Sequence, residues 1–303
     1  MKYLSFYTIQ NIIAEYKLNK KWPVNAINIA QKIFNIQEKM KLYSDDKYSS
    51  YWLLRSLLLQ KNINLTLIKK NLYMRYGGDE LAREILVDLC LHDNSQPYKI
   101  LNAGSGFGSD LVEHAALLPN ATFVGIELNK KYANLSTKVI QAFHLQKRIK
   151  IYCADLASES DINEIYRQEG LFDAAYSNLA ILHIKDKQTV YHNILKLMHK
   201  NAKFRNEDYT KQNLTDLTFA ENKIGCQNLK TPTEMLEIAK QAGFQDSTFK
   251  DLTDNWKEFT KNRALQYKNY KSEKNLVKEN FLFDISNYFN NKNGSGGVFT
   301  HTK

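Results

Sequence analysis

The chain is poor in the features that would commit it to several common functions. It has three cysteines, Cys90, Cys153 and Cys226. They are far apart and odd in number, which gives neither a disulfide framework nor a metal-ligand spacing, so we expect a reducing, cytoplasmic setting and no metal site. No window approaches the roughly 18 apolar residues of a membrane-spanning helix. The opening "MKYLSFYTIQNIIAEYKLNK" lacks an uninterrupted apolar core and a small-residue cleavage site, so it does not read as a signal peptide. Arginines are few, and lysines scatter among asparagines instead of gathering in one stripe. The net charge of +10 permits an anionic partner such as nucleic acid. The scatter argues against the usual nucleic-acid footprint.

What is present is enough chain, 303 residues with 43% hydrophobic and 24% charged, for one large α/β domain or a domain with an appendage. Residues 1–75 read as a helical cap. Apolar residues there recur every three or four positions, as in "NAINIAQKIFNIQEKM" and "SSYWLLRSLLLQ". From about residue 79 to 250, short β-rich runs alternate with helical ones. The candidate strands are "YKILNAG", "ATFVGIEL", "RIKIYCADL" and "FDAAYSN". That alternation predicts a parallel, doubly wound sheet. Then come a strand in "STFKDLTD", a long charged helical stretch from Trp256 to Asn290, a glycine turn "NGSGG", and a last strand "VFTHTK".

The chemistry starts in "YKILNAGSGFGSD", residues 98–110. A triphosphate loop needs a Lys after the last glycine, and none follows. A dinucleotide loop prefers G-x-G-x-x-G, and here Gly104, Gly106 and Gly108 bring the third glycine one residue early. The loop still allows close approach of a nucleotide-like ligand at the carboxyl edge of the sheet. Three further strand ends add suitable groups. "FVGIELN" ends in Glu127, where a carboxylate accepts both hydroxyl protons of a ribose. "IYCADLAS" ends in Asp155, placed for an adenine amino group, with Leu156 offering an apolar wall or an amide. "FDAAYSNLAILHI" ends in Ser177 and Asn178, facing the reaction zone.

On these motifs, residues 75–303 resemble the class I S-adenosylmethionine-dependent methyltransferases. The resemblance implies a Rossmann-like, mostly parallel seven-stranded sheet with an antiparallel last strand. It divides the chain into a cap (1–75) and a methyltransferase domain (76–303), with residues 254–292 as a helical lid before the last strand. It implies S-adenosyl-L-methionine as cofactor and S-adenosyl-L-homocysteine as product. Gly104, Ser105 and Gly106 would lie against the methionine part, Glu127 and Leu128 at the ribose side, Asp155 and Leu156 at the adenine, and Asn178 by the reaction zone. Arg75, Tyr76 and Gly77, in "LYMRYGGDELAREIL", would lie near the cofactor carboxylate or the methyl-transfer site. Asn102 stands where the family usually has an acid, so a charge facing the cofactor's ammonium is missing.

Within that family, "AYSNLAILHIKDKQTVYHNILKLMHKN", "LKTPTEMLEIAKQAGF" and "GGVFTHTK" resemble the phosphoethanolamine, glycine and sarcosine N-methyltransferases. His183 matches the histidine that holds or deprotonates the accepting amine there, and a histidine suits a base working near neutrality. Tyr48 is the best match for its tyrosine partner. Tyr73, Tyr76 and Trp256 would supply aromatic walls for a small-molecule acceptor, by cation–π attraction or flat packing. Two departures separate this chain from the phosphobase enzymes. Leu179 replaces their acid, and "HKNAKFRNEDY" replaces their "KPGG" turn before the fifth strand. The reading is a small-molecule N- or O-methyltransferase, monomeric or homodimeric. The alternatives are an RNA methyltransferase or binding protein, and a catalytically silent cofactor-binding scaffold. Against nucleic acid stands "YSNL", where base-methylating enzymes carry an NPPY-like tetrapeptide.

Overall fold

A computed structural model describes residues 75–76, 80–93, 95–269 and 276–303. Tyr48, Tyr73, Gly77 and the expected cap, apart from Arg75, lie outside the described residues. The chain divides into two compact units. The larger, Met74–Phe259 with Asn287–Lys303, holds the sheet, and Thr260–Ser286 belongs to the other.

Seven strands form one sheet: β1 Lys99–Ala103, β2 Thr122–Glu127, β3 Ile149–Cys153, β4 Phe172–Asn178, β5 Met198–Lys211, β6 Gln245–Asp251 and β7 Gly294–Thr302. Their order is β3-β2-β1-β4-β5-β7-β6. β1 to β5 are parallel, and β7 runs antiparallel to both β5 and β6. The expected class I methyltransferase sheet is therefore present. Helix α1 Leu81–Asp88 precedes β1, and the crossover helices are α2 Ser109–Leu117, α3 Lys130–Ala142, α4 Glu159–Glu169, α5 Lys187–Lys196 and α6 Pro232–Ala242. In the stretch read as one charged helical run, α7 covers Thr253–Asn269 and α8 covers Leu276–Asn291.

The sequence sets these boundaries through capping. Asn129 accepts from the amides of Lys131 and Tyr132 to start α3, and Asp186 accepts from Thr189 N at 3.0 Å to start α5. Thr231 and Glu234 form a reciprocal capping box on α6, with Pro232 at its first position. The central strands are apolar because helices cover both faces. Leu101 and Ala103 face one core with Val190 and Phe204, and Ile100 faces the other with Leu111 and Tyr176. Asn102, two residues on from Ile100, shares that second face.

Two segments differ from the sequence reading. β5 runs 14 residues through "HKNAKFRNEDY", which looked like a replaced turn. The turn-like part survives as an irregularity, with Asn201 in the left-handed region at φ 65°. The glycines of "NGSGG" are not a turn but the first half of β7. A side chain at Gly294 would meet the Tyr288 ring at 2.3 Å, and one at Gly296 the Trp256 ring at 2.1 Å. The strand carries glycine where aromatic rings cross it.

His114 on α2 ties the second core together. It is fully buried, with Nδ1 3.0 Å from the Tyr176 hydroxyl and Nε2 3.2 Å from the carbonyl of Ala82. Burial depresses its pKa from the usual 6.5 to about 4. A depressed folded pKa means stability that is present above the unfolded value and lost as pH falls toward the folded one. The free-energy advantage of wild type over His114→Gln should therefore shrink between pH 6.5 and about 4, by about 1.4 kcal/mol per unit. Urea unfolding of both proteins across that window measures it, and parallel stability curves would exclude the effect.

Candidate active site

The strand order reverses between β1 and β4, and a crevice outside the strand carboxyl ends is where such sheets take ligands. The glycine loop opens there. Gly104 and Ser105 both donate to the Ile126 carbonyl at 2.9 Å, which turns the chain sharply off β1. Gly104 has φ 81°, and a Cβ on it would lie 2.3 Å from the Ala180 Cβ. Only glycine lets the segment after β4 come this close.

Glu127 then locks the loop to the next strand. Its Oε2 accepts from Gly106 N at 2.9 Å and its Oε1 from Asn129 N at 2.8 Å. Burial raises its pKa, and the two N–H groups oppose that rise by stabilising the anion. Leu128 beside it is 66% exposed, an apolar surface at the crevice rim. One strand over, Asp155 Oδ1 accepts from Ala157 N at 2.8 Å, and its own N–H donates to Asp161 at 2.9 Å. Leu156 packs into the core and its carbonyl accepts from Asn193. Of its two expected roles, the main-chain one suits this position.

Asn102 is buried between β2 and β4, in register with Gly125 and Tyr176. Its Nδ2 donates to the Tyr176 carbonyl at 3.4 Å. That orientation turns Oδ1 into the acceptor, which is the group a cationic ligand needs. Ser105 Oγ and Ser177 Oγ are buried at the same strand ends without hydrogen-bond partners among the described residues.

A chain of charged contacts lies behind these groups. Arg75 bonds Asp110 at 3.1 Å and Glu113 at 2.6 Å. Asp110 in turn accepts from Asn178 Nδ2 at 2.9 Å. Asn178 Oδ1 accepts from Arg205 Nη1 at 3.3 Å, so both ends of the Asn178 amide are fixed. Arg205 also reaches Asp88 at 2.8 Å and Glu207 at 3.0 Å. Arg75 was expected near a ligand carboxylate; its guanidinium here is held by two acids of α2. Asp110, Arg205 and Glu207 escaped the sequence reading. The alternation in "KFRNEDY" puts Arg205, Glu207 and Tyr209 on one strand face and would have been the signal for them.

Tyr76 and Trp256 come together. Their ring centroids are 5.1 Å apart, and the Tyr76 hydroxyl bonds the Tyr209 hydroxyl. Phe259 and Phe289 complete a buried aromatic cluster around them. His183 ends a short 3-10 turn, Ile181–His183, after β4. It is exposed, and its Nδ1 lies 2.9 Å from the Gly225 carbonyl. In the neutral ring that contact puts the proton on Nδ1 and the basic lone pair on Nε2.

A family profile described as a methyltransferase domain matches residues 94–267. The chain belongs to this methyltransferase family. Phosphoethanolamine N-methyltransferase 1 of Triticum aestivum is 28% identical over 219 residues, covering 71% of this chain and 40% of that protein. The Arabidopsis thaliana protein of the same name is 27% identical over 216 residues, with 71% and 40% covered. The chain thus spans about 40% of the length of these relatives. Among solved structures, Haemonchus contortus phosphoethanolamine N-methyltransferase 2 in complex with S-adenosyl-L-methionine superposes with a TM-score of 0.64 at 17% identity, covering 89% of this chain and 59% of that one. The [4+2]-cyclase SpnF superposes with a TM-score of 0.60 at 16% identity, covering 74% and 81%. At such identities the structural likeness speaks for the fold.

Removing one partner from a buried ion pair leaves the others unpaired. Arg205→Met should therefore cost about 3–5 kcal/mol of folding stability, measured by denaturant unfolding at neutral pH. A loss below about 1 kcal/mol, the range of exposed pairs, would mean that the chain of contacts carries little.

Proposed function

We propose that the protein transfers a methyl group from S-adenosylmethionine to a small-molecule amine or hydroxyl by in-line displacement, releasing S-adenosylhomocysteine, in the cytoplasm. The observation that carries the reading is Glu127, held at the carboxyl end of β2 by Gly106 N and Asn129 N. A carboxylate so fixed has lone pairs left to accept from a vicinal diol. The rest of the donor set fits the same cofactor. Asp155 and the Leu156 main chain suit an adenine edge, Leu128 its apolar face, and Asn102 Oδ1 an ammonium group. The loop at Gly104, Ser105 and Gly106 gives the backbone close approach.

Bound S-adenosylmethionine supplies an already activated methyl, so the protein's work is alignment, exclusion of water and removal of a proton. The aromatic cluster of Tyr76, Tyr209 and Trp256 supports a small acceptor. Cation–π contacts of about 0.5–2 kcal/mol per ring would favour a methylated amine. His183, with Nδ1 on the Gly225 carbonyl, has Nε2 as the base that receives the acceptor's proton. Tyr48, as the partner of His183, and Tyr73, as an acceptor-side aromatic, belong to the same proposal on the strength of the sequence alone. Leu179 removes a carboxylate from that side, which favours acceptors more apolar or aromatic than phosphoethanolamine. The assignment of residues 254–292 as a lid belongs to the same proposal and rests on the helices between β6 and β7. The cytoplasmic setting is supported by three free cysteines, and no described helix is long and apolar enough to cross a membrane.

Calorimetry with S-adenosylmethionine and S-adenosylhomocysteine tests the cofactor. We expect micromolar binding by the wild type and a loss of roughly tenfold or more, about 1.4 kcal/mol, in Glu127→Ala. Absence of binding by the wild type would end the proposal. Turnover is read by release of S-adenosylhomocysteine with phosphoethanolamine, sarcosine and a panel of amines and phenols. His183→Ala should lower kcat by about a hundredfold or more while leaving cofactor affinity within about twofold, less than 0.5 kcal/mol. Equal loss of turnover and affinity would make His183 structural.

A further inference from the structure

We infer that Lys187 is a positioning residue that holds the His183 turn in register through three main-chain hydrogen bonds. The inference rests on the reading of His183 as the base.

An ammonium has three hydrogens, and Lys187 Nζ has three main-chain acceptors: Ile184 O at 2.8 Å, Gln227 O at 2.7 Å and Ile181 O at 3.3 Å. Two of these carbonyls flank His183 in the chain. The third lies two residues beyond Gly225, whose carbonyl holds the His183 ring. Gln227 N also donates to Leu182 O at 2.7 Å, and Asn228 Nδ2 to Lys185 O at 2.9 Å. The two segments that fix the imidazole are therefore clamped together, with one ammonium between them.

The position is an unfavourable one for a charge. Lys187 is 2% exposed and opens α5, the end of a helix where a cation is disfavoured. Burying an ammonium is costly, and the three main-chain bonds offset that cost, since an apolar side chain of the same length would take a donor from each carbonyl. Burial disfavours the ammonium most; the nearby Asp208 carboxyl favours it and Lys230 opposes it. Asp208 on β5 is 1% exposed and its Oδ2 has no hydrogen-bond partner among the described residues. Its Oδ1 accepts from Tyr209 N at 3.0 Å. Burial pushes this carboxyl up to about 7, against the pull of Lys187. What the arrangement secures is the position of three peptide carbonyls, and through them the orientation and tautomer of His183.

The experiment compares wild type, Lys187→Met, Lys187→Arg, His183→Ala and the His183→Ala/Lys187→Met double variant. It uses the acceptor that gives the highest turnover in the panel above. Lys187→Met should lower kcat by roughly tenfold, a fraction of a full general-base contribution, with the Kd for S-adenosylmethionine unchanged within about twofold. In the His183→Ala background the same substitution should cost nothing further. Nitrogen NMR of labelled histidine should show the Nδ1–H tautomer in wild type and its loss in Lys187→Met. If Lys187→Met fails to fold, Lys187→Arg carries the test by the same spectrum, since a planar guanidinium cannot meet all three carbonyls. An equal loss in both backgrounds, or an unchanged tautomer, overturns the positioning role while the base reading stands. Full activity in His183→Ala overturns the base reading, and the positioning role with it.

Discussion

Glu127 holds the site together. Its carboxylate takes one N–H from the loop after β1 and one from the start of α3, so two segments that meet only at the sheet's edge become one surface. Burial works against the charge, and the two N–H groups work for it. The turn at Gly104 depends on the same edge. It can be tight because Ile126, one residue before Glu127, accepts from both Gly104 and Ser105. Loop, strand and helix cap are thus a single hydrogen-bonded unit, and the rim formed by Leu128 and Asp155 is built upon it.

Behind that surface the protein holds charge where packing alone would prefer hydrocarbon. Arg75, Asp110, Asn178, Arg205 and Glu207 form one chain across α2, β4 and β5. Lys187 is a second buried charge, held by the carbonyls of Ile181, Ile184 and Gln227. Buried charged groups of this kind add little net stability, yet they fail badly when one partner is removed. They are better suited to fixing orientation, and what they orient here is the Asn178 amide in one case and the His183 turn in the other.

The sequence disclosed those parts of the fold whose physics is local. β1 to β4 are short apolar runs bounded by turns, and helix starts announce themselves through Asn129, Asp186 and the Thr231–Glu234 box. A fifth strand was expected, but not that it runs through this charged segment, and the reason is non-local. Arg205 and Glu207 look like solvated turn residues until their partners are known, and those of Arg205, Asp88 and Asn178, lie on other elements. The glycines of β7 misled in the same way, because the rings they accommodate come from Trp256 and Tyr288. In the site, the glycine loop, Glu127 and Asp155 were legible because each ends a recognisable strand. Tyr76 and Trp256 were legible as aromatics, though not as neighbours of Tyr209. Tyr48 and Tyr73 lie outside the described residues.

The glycine at position 296 has a consequence for any attempt to reshape the aromatic cluster. A methyl group there would sit 2.1 Å from the Trp256 ring, and the Asp208 carbonyl is 3.0 Å away on the backbone side. The floor of the cluster is therefore main chain, with no side chain to trim or extend. Room beside this strand can therefore be made only by trimming the rings themselves, and bulk added at position 296 displaces Trp256 first.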